Sequence, residues 1–289
     1  MIATVHTGSL TGIEAQAVLV EISQARGLPG FDIVGLPEAA LRESRVRVMA
    51  AISNSGFQLP DRHFIVNLAP ADLRKSGASF DLAIAIALLC ACGMCRADEL
   101  EHTLLLGELS LDGKLRPVRG VLAHLRSARR QGLSRAIIPS ADARWATLLP
   151  DIRVRSAHTL RQVVEHFEGV DTLQLVGAEH TDAGADYALA AANSGRDLSE
   201  VFGQESAKRA LEVAAAGAHH LLMVGPPGAG KTMLASRLTG LLPEPTAEEA
   251  LEIATIGVRT MLATPDSMVG RRAVRTIKRN VTKRAYQAR

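Results

Sequence analysis

The sequence predicts an α/β protein, an α+β domain followed by part of a phosphate-loop domain. Three observations predict it. Apolar runs of strand length alternate with longer stretches whose apolar residues recur at helical spacing. Glycines and prolines punctuate the joins. One apolar run, Leu221 to Val224, stops at a loop of small residues that ends in Gly230-Lys231-Thr232 and opens onto a helical stretch.

The chain has 289 residues, 47% of them hydrophobic, enough for a real core and more than one typical domain. Its first residues lack the basic region of a signal peptide. Its longest apolar run, Leu82 to Met94, is shorter than the about 20 residues a spanning helix needs. These features predict a cytoplasmic protein without membrane partners. The three cysteines, Cys90, Cys92 and Cys95, fan out around one helix rather than sharing a face, so buried, reduced thiols are expected instead of a metal site. The net charge of +3 is uneven: residues 257–289 hold nine Lys/Arg against Asp266 alone, a net of +8, which leaves about −5 elsewhere. Basicity therefore belongs to that tail and is weak evidence for nucleic-acid binding by the domains.

In order, Ala17 to Ile22 and Phe31 to Val34 read as strands. Pro37 suits the first position of a helix running to about Ser55, with Leu41, Val48, Ala51 and Ile52 on its apolar face and Arg42, Arg45 and Arg47 on a solvated one. His63 to Leu68 is a strand. A polar turn follows, with Ser79 as N-cap of the apolar helix. Thr103 to Ser110 is a strand, Asp112-Gly113 a hairpin turn, and Lys114 to Pro117 its return. Val121 to Gln131 is a helix with Arg126, Arg129 and Arg130 outward. Two strand–helix units complete a mixed sheet: residues 136–138 with 142–149, and 152–154 with 159–167.

Residues 169–197 read as an interdomain connection with a short helix at Tyr187 to Ala192. A helix from Glu205 to Ala216 has an apolar face and ends at Gly217. His219 and His220 come before the next strand without further ligands at metal spacing. That strand leads into Gly225-Pro226-Pro227-Gly228-Ala229-Gly230-Lys231-Thr232, the pattern G-x-x-x-x-G-K-[ST] in strand–loop–helix context. Glycines bring backbone N–H groups close to phosphates. The next helix's N-terminus favours an anion. Lys231 would reach the β- and γ-phosphates of ATP, and Thr232 would give its hydroxyl to Mg²⁺. Thr246 and Glu249 form a capping box for a helix to about Ile256.

Several segments carry a resemblance. Lys75-Ser76-Gly77-Ala78-Ser79 is similar to the serine-lysine turn of the Lon protease domain. Gly107 to Gly113, followed by Arg116-Pro117-Val118-Arg119-Gly120, is similar to the hairpin and helix start that come later in that fold. With the Gly-Pro-Pro-Gly loop, the order resembles the ComM/YifB family, magnesium-chelatase-like AAA+ proteins with an N-terminal Lon-like domain, over roughly residues 1–256. The resemblance implies a Lon-like domain at 1–168, a linker at 169–197, the N-terminal part of an AAA+ domain at 198–256 and a divergent tail at 257–289. It implies ATP and Mg²⁺ as ligands, with Val201, Phe202 and Gly203 against the adenine. In full-length relatives it implies a hexameric, ATP-driven DNA branch-migration motor acting in natural transformation.

The resemblance puts Ser79 where the Lon nucleophile would stand and Leu122 near the place of its lysine, with His124 two residues on. Leu122 cannot accept a proton, so no catalytic residue is assigned. A scaffold for oligomerisation or nucleic-acid binding, with Ser79 as a cap, is the alternative reading, and a Ser79 peptidase a further one. Metal insertion into a porphyrin, the chelatase chemistry, has no ligand signal here. After Thr232 no apolar strand ends in Asp or Glu to hold Mg²⁺ and orient water. The expectation is therefore ATP binding with little hydrolysis, and a basic tail of truncated or frameshifted origin.

Overall fold

The computed structural model describes residues 2–25, 28–35, 39–73, 75, 77–96, 100–176 and 197–242, which fall into two compact units, 2–176 and 197–242. Pro37, the side chain of Arg42, Ser76, the helix expected at Tyr187 to Ala192, the Thr246 and Glu249 capping box and the tail lie outside the described residues.

The first unit is built on a seven-stranded mixed sheet. Its elements are β1 (Ile2–Thr11), β2 (Glu14–Ala25), β3 (Gly30–Val34), α1 (Ala39–Asn54), β4 (His63–Ala69), α2 (Asp81–Ala91), β5 (Thr103–Leu105), the hairpin of β6 (Glu108–Leu109) and β7 (Leu115–Arg116), α3 (Val121–Arg130), β8 (Arg135–Pro139), α4 (Ala143–Ala146), β9 (Arg153–Ala157) and α5 (Leu160–Glu168). The sheet order is β3-β4-β2-β1-β5-β8-β9. β1 and β2 are antiparallel across a two-residue turn, Thr11 facing Glu14. β2 is also antiparallel to β4, while β1–β5, β3–β4, β5–β8 and β8–β9 are parallel. The fold is α/β, as the alternation of runs predicts.

The pleat sorts the core. On β1, Ala3 and Val5 are buried with Val18, Val20 and Ile22 of β2, and this face meets α1, α2 and α5. Every residue of α2 is buried, which is why its sequence is apolar on all sides rather than striped. Leu41, Val48, Ala51 and Ile52 bury the predicted face of α1. On the opposite face α3 packs on β1 and β2, and α4 against α3 and β9. Gly8 shows how closely: a Cβ there would lie 2.4 Å from His124 Nδ1. Thr159 caps α5, accepting from Gln162 N while the Gln162 side chain accepts from Thr159 N, a complete capping box.

Three local expectations give way. Ser79 is not the cap of α2: Phe80 holds that position with helical backbone angles and no side-chain bond. The donor at Leu82 N is satisfied instead by the Gly107 carbonyl at 3.0 Å, and Gly107 N donates to Ser79 O at 3.2 Å. Those bonds also interrupt the strand expected at Thr103 to Ser110. Leu106 N still donates to Ile137 O of β8 at 3.1 Å, but Gly107 then turns its backbone to α2, so β5 ends at Leu105 and the hairpin of β6 and β7 forms a separate two-stranded sheet. Arg47 leaves the solvated face and reaches Asp81. Cys90 and Cys95 are buried and Cys92 half-buried, all three free thiols.

The second unit contains a short 3-10 turn (Leu198–Glu200), α6 (Glu205–Ala216), α7 (Lys231–Ala235) and α8 (Leu238–Leu241). Leu198, Val201, Leu211 and Leu234 form its core, with Met223 and Leu238 packed on them. Among the described residues no helix is long and apolar enough to cross a membrane, and no group of three or more His, Cys, Asp or Glu could hold a metal ion.

Candidate functional site

The loop between Val224 and α7 places the predicted phosphate-binding residues together. Gly228 has φ +83° and Gly230 φ +76°, the left-handed backbone that a side chain resists. Gly230 is the residue before α7, so the chain turns sharply into the helix at Lys231. Lys231 Nζ curls back over the loop and donates to the carbonyls of Gly225 and Pro226, both at 2.7 Å. Ala229 N closes onto Pro226 O at 3.4 Å. The first N–H groups of α7 have no partner within the helix by geometry. Thr232 is exposed, and its hydroxyl makes no side-chain hydrogen bond among the described residues. A cation, the N–H groups of the first helical turn and an exposed hydroxyl thus converge on one small loop, a donor set suited to a polyphosphate and its metal ion.

The run before the loop differs from expectation. Leu221 to Val224 forms no strand. Met223 faces the core, while Leu222 and Val224 are 86% and 84% exposed. The run is alternating and apolar as a strand should be, but no second strand of this unit is described beside it, and pairing needs a neighbour.

Of the residues expected against adenine, Val201 is buried against Leu198, Leu211 and Leu234. Phe202 is 95% exposed and Gly203 has φ +67°. The segment is anchored by Asp197, whose carboxylate accepts from Ser199 N at 2.7 Å. Sequence reasoning missed Arg237. Its buried guanidinium donates to Asp197 O at 2.9 Å, Met233 O at 3.1 Å and Glu200 Oε2 at 2.8 Å. Its sequence signal was no more than an arginine two residues past the end of the loop helix and five after Thr232.

In the first unit the Lon-like residues do not form a dyad among the described residues. Ser79 makes no hydrogen bond to Lys75 or His124. Lys75 is buried, donates to the Pro70 carbonyl, and has its ammonium pushed down by burial. His124 is buried with Nδ1 unpartnered, and burial lowers it to about 4, so it is neutral at physiological pH. Leu122 is fully buried.

Comparison with known proteins bears on both units. Residues 20–142 match a family model described as subunit ChlI of Mg-chelatase, and residues 197–286 match one described as magnesium chelatase, subunit ChlI. The chain is 42% identical over 255 residues to the competence protein ComM of Haemophilus influenzae, covering 88% of this chain and 49% of that protein. It is 44% identical over 255 residues to YifB of Escherichia coli, with 88% and 49% covered. A Lon protease of Roseiflexus castenholzii is 31% identical over 137 residues, 46% of this chain and 16% of that one. The chain spans about half the length of the ComM and YifB relatives.

Proposed function

Starting from the chain's membership of the ComM/YifB-like family of magnesium-chelatase-type proteins, we propose that residues 197–242 bind ATP with Mg²⁺. The observation that carries the reading is Lys231, whose ammonium is held over the loop by the Gly225 and Pro226 carbonyls beside the left-handed Gly228 and Gly230. Lys231 would exchange those carbonyls for phosphate oxygens, a stronger charge-assisted contact. The backbone N–H groups of Gly228 to Thr232 would surround the phosphates, and the Thr232 hydroxyl would hold Mg²⁺. When bound, the metal spreads the phosphate charge. Pro226, Pro227 and Ala229 keep the loop compact without adding charge. Val201, Phe202 and Gly203 form the base side.

Turnover by this chain is slow in our reading, because no apolar run after Thr232 ends in the acid that hydrolysis needs. DNA enters only through the relative named a competence protein, and assembly into a ring through the family, so both are part of the proposal. The test is ATP turnover by the purified chain with and without single-stranded DNA, beside Lys231→Ala. Slow or absent turnover in the presence of measurable ATP binding agrees with the reading. Fast, DNA-stimulated turnover abolished by Lys231→Ala contradicts the missing-acid argument, and absence of ATP binding contradicts the reading as a whole.

A further inference from the structure

Arg237 links the helix after the phosphate loop to the turn that precedes Val201. It follows α7, the helix that begins at Lys231, and its guanidinium is buried. Through one nitrogen it bonds the Met233 carbonyl of that helix; through two others it bonds the Asp197 carbonyl and the Glu200 carboxylate. Asp197 to Glu200 leads directly into Val201, Phe202 and Gly203. Val201 N is itself tied to Leu198 O at 3.1 Å, so the turn that Arg237 contacts closes one residue before Phe202. Glu200 is half-exposed and Asp197 and Met233 contribute only carbonyls, so the arrangement is not a buried charge pair formed for its own sake. It is a planar fork spanning two segments, a geometry that lysine's single ammonium cannot reproduce.

We propose that Arg237 is a positioning residue that sets the place of the Val201–Gly203 segment relative to the phosphate loop, and thereby the preference of the site for an adenine nucleotide over a bare triphosphate. This rests on the nucleotide-binding reading above. The exposed ring of Phe202 supplies the stacking surface, and Arg237 holds the turn that presents it.

The test uses the full chain with Mg²⁺ and compares affinities for ATP and for inorganic tripolyphosphate in wild type, Arg237→Gln, Arg237→Lys and Phe202→Ala. Phe202→Ala removes an exposed ring, so its folding is not at risk and it keeps the test decisive should Arg237→Gln unfold. The expected result is a loss of about tenfold in ATP affinity in Phe202→Ala, the scale of one base–aromatic stack, with tripolyphosphate affinity within about twofold of wild type. Arg237→Gln should show the same selective loss, Arg237→Lys should not rescue it, and adding Arg237→Gln to Phe202→Ala should cost little more. Equal losses for both ligands in Arg237→Gln, full rescue by lysine, or unchanged selectivity in Phe202→Ala would overturn the proposal. If wild type binds tripolyphosphate but shows no preference for ATP, this inference fails while the phosphate loop stands. If wild type binds neither, both fail.

Discussion

Arg47 and Asp81 meet inside the first unit, Nε to Oδ2 at 2.8 Å and a second nitrogen to Oδ1 at 3.2 Å. Asp81 is fully buried at the start of α2; Arg47 comes from α1 and also bonds Ser44 Oγ, and Leu109 N of the hairpin donates to Asp81 Oδ2 at 3.3 Å. One carboxylate therefore ties α1, α2 and β6. Burial pushes its carboxyl up, and Arg47, Ser44 and Leu109 N–H pull it back only in part. Asp81→Ala leaves a guanidinium without its partner and is predicted to cost about 3 kcal/mol. Denaturant unfolding checks this; a change under about 1 kcal/mol would show that the contact contributes little.

The pH dependence of stability should carry the mark of His124. Its folded value of about 4 lies below the ordinary 6.5, because burial disfavours the imidazolium. Its contribution is therefore full above pH 6.5 and is lost as pH falls through about 4, an order-of-magnitude 3 kcal/mol. His124→Leu should flatten that part of the curve. A wild-type stability that does not fall between pH 6.5 and 4 relative to His124→Leu would refute the assignment.

Asp142 works in the opposite sense. Burial raises its carboxyl from 3.8 to about 6, although Val118 N donates to it at 2.9 Å. The stability it contributes is present below pH 3.8 and is lost as pH rises through about 6. Asp142→Asn, which keeps an acceptor for Val118, should stabilise the protein at pH 8 by up to about 3 kcal/mol and have no such effect at pH 3.5. Destabilisation at pH 8 would contradict this.

Gly8 has no room for a side chain. Alanine there would drive its Cβ onto His124, whose ring is enclosed by α3 and the sheet, and should cost about 1–3 kcal/mol by overpacking. Gly8→Ala combined with His124→Ala should recover part of that loss, and thermal melting of the three variants checks it.

Much of this architecture was legible because strands and helices announce themselves by period. Strands β2, β3, β4, β8 and β9, the Asp112-Gly113 turn and the apolar face of α1 follow from spacing, whereas β1, whose polar and apolar residues alternate irregularly, is not marked as a strand by its own sequence. The other misses share one cause, which is that they depend on residues far apart in sequence. Nothing near Ser79 shows that Gly107 supplies the bond a cap would have made, and nothing near Arg47 shows Asp81 approaching from another helix. The phosphate loop was legible because its chemistry is local, eight consecutive residues. The strand before it was not, because Leu221 to Val224 can become a strand only beside a partner. Arg237 was missed because its role is a long-range contact to Asp197 and Glu200.

The proposed binding of ATP with Mg²⁺ at the loop from Gly225 to Thr232 is checked by calorimetric titration of ATP with Mg²⁺ into the full chain and into Lys231→Ala. Wild type should show one saturable site, and Lys231→Ala a loss of about tenfold to a hundredfold, the scale of a hydrogen bond to a charged group. Equal affinity in the two proteins, or no binding in wild type, would contradict it.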